Sequence, residues 1–421
     1  MNKITFGFKQ ALSQKRGHLG EKWNFVSEGS LLSSPIVEDI DHDGKKEILF
    51  GTKDGKIYLL SIDGKIKWMY SINERISDVE LMFLDSEEMH SINATPNIGD
   101  INNDKKNEIL FGSELGFLYA LNHYGQLLWK FKTDGPIRSS VLIEDLNNDG
   151  HKEIIFGSMD NFVYVLSSSG KLLLKLKINS PIECTPAVMK NTSKQIIFGS
   201  DDGTIYSTDY TGKLLWKFKT NGKITAQPTI VNLFNDGKEY IIIGSFDNYL
   251  YCLDYQGKLI WQFKTEGSIC SKATTGDINN DQKIEIVFGS CDNKVYALRN
   301  DGEKIWDYET DFWVVASPII SDMDGDGKPE IIVGSYDHNI YVLDCEGSYV
   351  LDYVPGISGV VNQAGNYSEI PTQDPGRIHG KKIWQYETDG IIVGCAYVHD
   401  TKDIIVNNKI GKVKNICHNK G

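Results

Sequence analysis

Two nine-residue stretches space carboxylates so that they converge on one point: Asp39-Ile-Asp-His-Asp-Gly-Lys-Lys-Glu47 and Asp322-Met-Asp-Gly-Asp-Gly-Lys-Pro-Glu330. Each has acidic side chains at positions 1, 3, 5 and 9 and Gly at position 6. Alternate carboxylates in one tight loop repel unless a cation sits between them. Calcium, which takes about six to eight oxygens in flexible geometry, suits such a set better than magnesium, which keeps its waters and a strict octahedron. The expected ligands are Asp39, Asp41, Asp43 and Glu47 with the carbonyl of Lys45, and Asp322, Asp324, Asp326 and Glu330 with that of Lys328. Three further stretches carry Asn at position 3: Asp100/Asn102/Asp104/Glu108, Asp145/Asn147/Asp149/Glu153 and Asp277/Asn279/Asp281/Glu285. Lys105 and Gln282 replace the Gly in the first and third of these, which predicts a weaker turn. The alternative for every set is an Asx turn that holds no ion.

The acidic stretch opens a longer unit, best seen at 321–343: a turn, a β-run ending in Gly-Ser, a tight turn and a second β-run. Variants begin near Glu47, Glu108, Glu153, Gln195, Glu239, Glu285, Glu330 and Asp403. A spacing of about 45 residues is near the period of four-stranded propeller blades. In the first unit the strands are expected at 33–37 (a), 47–50 (b), 56–60 (c) and 65–70 (d). Strand d carries a large apolar residue in unit after unit: Trp68, Trp129, Leu174, Trp216, Trp261 and Trp306. These side chains read as blade-to-blade packing rather than a ligand cage. Trp23 reads as a strand d with nothing before it, and 391–417 as strands a, b and c with nothing after them. The N-terminal strand therefore completes the last blade and removes an open sheet edge. The expectation is an all-β chain, an eight-bladed β-propeller of four-stranded antiparallel blades, with seven blades as the alternative. Residues 1–21 are an N-terminal extension, 22–417 a single domain and 418–421 a tail.

Connectivity sorts the loops. The a–b and c–d turns share one face; the b–c turns and d–a loops share the other. Two stretches break the period: 74–90, on the second face, and 353–380, whose face depends on whether strand d of its blade contains Trp384. The d–a loops and the start of strand a vary between blades and offer Arg138, Glu183, Gln227, Lys272, Phe312 and Trp313 as a mixed polar and aromatic axial pocket. The alternative is a water-filled channel with unrelated lining.

The repeat Asp-x-Asp-x-Asp-Gly-x-x-Glu-Ile-x-x-Gly-Ser-x-Asp-x-x-Ile-Tyr-x-Leu resembles FG-GAP/VCBS-type repeats. The strand Gly-Lys-Leu-Leu-Trp-Lys-Phe-Lys-Thr at 212–220 is similar to the tryptophan repeat of PQQ-like propellers. The resemblance covers 22–417 and implies a propeller with calcium at the acidic positions. The fourth unit (189–195), the fifth (Asn232 and Asp236, with Phe234 and Tyr240 at ligand positions) and the eighth depart from it. It does not fix an activity, because such folds host adhesion modules, scaffolds and enzymes.

The net charge of −13 disfavours binding to nucleic-acid phosphates. The seven cysteines form no CxxC pair and read as reduced thiols of a reducing compartment. With no secretory signal as written, the expected location is cytoplasmic, or secreted or cell-surface if a signal was removed. No apolar run reaches the length of a membrane span. The leading functional expectation is a protein- or peptide-binding scaffold. An enzyme acting on a carbohydrate or peptide, as lyase, cyclase or tailoring enzyme, is the alternative, with a small molecule or carbohydrate as ligand. A quinone-dependent dehydrogenase is disfavoured.

Overall fold

The computed structural model describes residues 18–74, 90–190, 194–350 and 377–419. Apolar, β-branched and aromatic runs such as Glu47–Gly51 are buried along their whole length. So are Glu108–Gly112, Glu153–Gly157, Gln195–Gly199, Tyr240–Gly244, Glu285–Gly289 and Glu330–Gly334. A strand apolar on both faces needs cover on both, and stacked blades supply it.

There are eight four-stranded antiparallel blades, each running a-b-c-d from the axis outward. Blade 1 is Ile36–Glu38, Glu47–Gly51, Lys56–Ser61 and Ile66–Ser71. Strand a starts later than expected. Pro35 has no N–H to give a ladder, so 33–35 precede the sheet rather than joining it. Blade 8 pairs His18–Val26 with Lys412–Asn419, followed by Asp403–Asn408 and Ile392–Val398. Lys22 Nζ meets Asp403 at 2.7 Å across this closure. The seven-bladed alternative is thereby excluded.

In blade 7, strand c is Asn339–Val350 and pairs with Arg377–Glu387, so strand d does contain Trp384. The connection after strand c therefore leaves from the face of the acidic turns. Its residues 351–376 lie outside the described residues, as do 75–89 of the earlier long connection. A single parallel pair, Asp307 with His379, joins the outer strands of blades 6 and 7.

The core is a series of inter-blade layers. Ile40, Leu49 and Leu59 of blade 1 pack with Ile109, Phe111 and Leu121 of blade 2. Leu31, Ile48 and Leu60 pack with Val398, Ile405 and Val413 across the closure. The tryptophans latch successive blades. Trp68 Nε1 donates to the carbonyl of His123 (2.9 Å), Trp129 to Ser168 (2.9 Å), Trp216 to Tyr255 (3.0 Å), Trp261 to Asn300 (2.8 Å) and Trp306 to Cys345 (2.8 Å). Cys345 lies at the irregularity within strand c of blade 7, and the first four acceptors sit in the next blade's c–d connection. The glycine there is required by contact: a Cβ on Gly125 would come within 2.7 Å of the Trp68 ring. Trp384 has no such turn to meet, because strands c and d of blade 8 come from opposite chain ends. Its ring packs on His418 at 4.1 Å, and its Nε1 is buried without a partner among the described residues.

Candidate functional sites on the two faces of the ring

The a–b turns of blades 1, 2, 3, 5, 6 and 7 share one backbone. Positions 4 and 6 are left-handed: His42 and Gly44 (φ 60° and 86°), Asn148 and Gly150 (61° and 85°), Gly325 and Gly327 (82° and 87°). Lys105 and Gln282 adopt the same conformation at φ 66° and 67°. The expected weaker turn is thus a formed turn under strain. Its position-1 Asp holds it, accepting the N–H of Lys105 at 2.9 Å as Asp39 accepts that of Gly44 at 3.0 Å. The non-glycine conformation costs about 1 kcal/mol. Neighbouring turns are tied by position-4 Asn side chains: Asn103 to the Gly150 carbonyl (2.9 Å), Asn235 to Gln282 (3.1 Å) and Asn280 to Gly327 (3.3 Å).

The position-9 glutamates are buried and accept the position-2 N–H: Glu47 from Ile40 (2.9 Å), Glu108 from Ile101 (3.0 Å), Glu153 from Leu146 (2.7 Å), Glu285 from Ile278 (3.0 Å) and Glu330 from Met323 (2.7 Å). Burial pushes the Glu47, Glu108 and Glu153 carboxyls up, and that of Glu285 up to about 7.

What lies between the carboxylates differs from blade to blade. In blade 1 it is an ammonium: Lys67 Nζ is 2.7 Å from Asp41, 2.7 Å from Glu47 and 3.9 Å from Asp43. In blades 2 and 3 an amide takes that role. Asn102 Nδ2 donates to Asp104 (3.3 Å) and Glu108 (3.2 Å), and Asn147 Nδ2 to Asp149 (3.0 Å). In blade 5 the Tyr240 hydroxyl donates to Asp236 at 3.0 Å. Three sets bring three ligand oxygens within 4.8 Å of one another: Asp39, Asp41 and Asp43; Asp277, Asp281 and Glu285; and Asp322, Asp324 and Glu330. Asp326 and Asp43 accept the N–H of Lys328 and Lys45, each at 2.8 Å. Asn279 stands at position 3 of the second set and accepts the Asp281 N–H at 2.9 Å.

On the opposite face, an axial cavity of about 400 Å³ is lined by the starts of the a strands, including Arg138 and Glu183. Repeated contacts hold this rim. The first residue of each b–c turn donates its N–H to the adjacent d–a loop, as Glu114 does to Ser91 (3.0 Å), Asp201 to Pro181 (2.9 Å) and Tyr336 to Trp313 (2.9 Å). Arg138 binds Glu114 (2.8 Å) and Glu183 (3.1 Å). Lys223 bridges Glu183 (2.7 Å) and Asp201 (3.0 Å). Burial pushes the Asp201 carboxyl up, and its Oδ1 is buried without a partner among the described residues.

Of the six predicted pocket residues, Arg138 and Glu183 meet at the cavity. Gln227, Lys272, Phe312 and Trp313 are not among its lining residues. Gln227 and Lys272 stand two positions beyond Thr225 and Cys270, which do line it. Enclosure pushes the Lys272 ammonium down although solvent reaches it. Phe312 and Trp313 sit on the d–a loop of blade 7, each 45% exposed, with rings stacked at 5.2 Å. The sequence reading missed Glu114, Asp201, Lys223, Tyr336 and Lys67. A usable signal existed for three of them: a variable residue directly after a recurrent Ser, at Ser113-Glu114, Ser200-Asp201 and Ser335-Tyr336.

A closed ring of eight blades, with acidic turns on one face and a varied axial rim on the other, defines an eight-bladed β-propeller. Residues 18–82, 91–177, 133–206, 185–260 and 252–355 match the lambda-carrageenase beta-propeller domain, and the chain belongs to that family. No curated protein matches it in sequence. Among solved structures, it is similar to BamB from Moraxella catarrhalis (TM-score 0.64, 15% identity, 95% of this chain and 99% of that chain). The C-terminal WD40 domain of Sif2 is similar at TM-score 0.63 (16% identity, 96% and 99%). BBS1N, in complex with ARL6DN, is similar at TM-score 0.54 (10% identity, 96% and 98%). At these identities the likeness is one of fold.

Proposed function

We propose that this propeller is a non-catalytic binding module. The rim of the axial cavity grips a protein segment, and calcium braces the opposite face. The observation that carries this reading is Phe312. Blades 3, 5 and 6 have Gly135, Gly222 and Gly267 at that place, where a Cβ would come within 2.8, 2.2 and 2.3 Å of the backbone of the next turn. Blade 4 places the small, buried Ser180 there, whereas blade 7 places a large ring yet keeps the loop's anchor: Thr310 Oγ1 donates to the Phe312 carbonyl at 2.6 Å, as Thr133 does to Gly135 at 2.7 Å. A local rule broken at the cost of exposing two stacked rings marks a functional position. Trp is a usual anchor of binding hot spots, and Phe is enriched at interfaces. Asp201 Oδ1 and Glu183 offer acceptors on the same face, so the favoured partner segment has an aromatic or apolar anchor near a Lys or Arg. The use of a similar fold in BBS1N bound to ARL6DN supports the reading.

The calcium part rests on the FG-GAP/VCBS resemblance and on oxygens already gathered. Asp277, Asp281 and Glu285 fit an ion, as do Asp322, Asp324 and Glu330. The blade 1 set fits less well, because Lys67 already compensates it. Calcium would neutralise crowded carboxylates and stiffen this face; no catalysis is assigned to it.

The test is selection from a random-peptide display library on the immobilised chain. Enriched peptides should share the anchor and basic residue, and Trp313→Ala should weaken them at least tenfold. No enrichment, or binding indifferent to Trp313→Ala, contradicts the reading. Membership of a carrageenase domain family favours a second one, a carbohydrate-active enzyme using Asp201 and Glu183 as acid and base. Depolymerisation of λ-carrageenan that is lost in Asp201→Asn would establish it instead.

A further inference from the structure

We propose that Cys270 and Cys291 form a reversible disulfide at the blade 6 rim of the axial cavity. Cys270 and Cys291 are free thiols, and their Sγ atoms lie 3.9 Å apart. The repeat explains the approach. Strand a of blade 6, Thr274–Gly276, pairs with Glu285–Gly289 so that Thr274 faces Val287. Beyond that ladder the two segments run on side by side, with Cys270 after the buried Ile269 and Cys291 after the buried Ser290, and the two sulfurs meet. The N–H of Cys291 donates to the Ser268 carbonyl at 2.9 Å and fixes the two segments together. Bonded sulfurs stand about 2.0 Å apart, so closure needs the two thiols to approach from 3.9 Å. The equivalent pair in blade 2 is Asn93 and Glu114, which meet at 2.6 Å, so contact at this place is a property of the rim.

Access and reactivity agree with the geometry. Both thiols are half-buried, and Cys270 lines the cavity. The hydrogen bond from Cys270 holds the Cys291 thiol below its usual range, whereas burial pushes Cys184 and Cys395 up to about 12. The thiolate is the attacking form. Cys291 is therefore the nucleophile, and a small disulfide such as oxidised glutathione is the oxidant. Its thiolate attacks one glutathione sulfur and expels the other half as a thiol. Cys270 loses its proton to solvent, attacks the mixed disulfide at the Cys291 sulfur and expels the second half. Two protein thiols are oxidised by two electrons, and one glutathione disulfide is reduced to two thiols.

The test is equilibration of the native chain with oxidised glutathione, followed by non-reducing peptide mapping and thiol titration. The expected result is a Cys270–Cys291 cross-linked peptide, two fewer titratable thiols and full reversal by dithiothreitol. Cys270→Ser should trap a glutathione adduct on Cys291. A wild-type map showing only glutathione adducts, or cross-links between other cysteines, overturns the proposal independently of any variant.

Discussion

The a–b turns of blades 5 and 6 are neighbours with one backbone and opposite interiors. Both place left-handed residues at positions 4 and 6, Asn235 and Gly237 in one, Asn280 and Gln282 in the other. In both, the position-1 side chain accepts the position-5 N–H, at 3.1 Å from Asn232 and 3.0 Å from Asp277. Blade 5 then fills its interior with Phe234 against Tyr240 (4.8 Å) and satisfies Asp236 from the tyrosine hydroxyl. Blade 6 gathers Asp277, Asp281 and Glu285 instead. The turn is thus set by short-range Asx bonding and backbone conformation, and the ligand set is a separate layer written over it. Blades 1, 2 and 3 fill the same layer with the Lys67 ammonium or with Asn102 and Asn147 amides.

The largest expected break in this pattern is Lys67→Met. It strips the cation from Glu47, whose side chain is 1% exposed. Removing one partner of a buried charge pair costs several kcal/mol; because Lys67 is itself partly solvated, about 2–3 kcal/mol is expected by chemical denaturation in EGTA. Added Ca²⁺ should recover much of the loss and raise the bound stoichiometry by one. A loss that Ca²⁺ leaves untouched would mean that the blade 1 oxygens cannot accept an ion. Next is Tyr240→Phe, which removes one hydrogen bond and should cost about 1 kcal/mol. Its Ca²⁺-dependent stabilisation should equal that of the unmodified chain, since the blade 5 turn needs no ion; a change in that increment argues against separate layers. The smallest effect is a gain. Gln282→Gly relieves a left-handed side chain and should stabilise the turn by about 0.5–1 kcal/mol, offset in part by unfolded-chain entropy. A drop in melting temperature would show that the Gln282 side chain does more than occupy the turn.

The ring itself was legible in the sequence because its determinants are periodic: the buried b strands, the turn glycines and the tryptophans repeat. The closure was legible from Trp23, a strand d without its predecessors. What occupies each turn was not, because it depends on side chains reaching across a blade. Lys67 lies twenty residues beyond Glu47 on another strand, yet it had a trace: the residue before the tryptophan is apolar at Leu128, Leu215, Ile260, Ile305 and Ile383, and a lysine at Lys67 and at Lys22, which reaches Asp403. Lys105 and Gln282 take the left-handed conformation that glycine takes in other turns, and the Asp100 and Asp277 carboxylates hold the turn around them. At the axis, Arg138 and Glu183 are one repeat apart and so lie on adjacent blades. Cys270 and Cys291 flank the two strands of one hairpin, so their approach becomes visible only once strand a is placed.

Calorimetric titration of the metal-stripped chain with Ca²⁺ tests the layered reading most directly, run beside a Glu285→Gln, Glu330→Gln double variant and an Asp236→Asn control. The prediction is saturable binding by the unmodified chain and by Asp236→Asn, and loss of most of that heat in the double variant. No binding by the unmodified chain, or equal binding by all three, would contradict it.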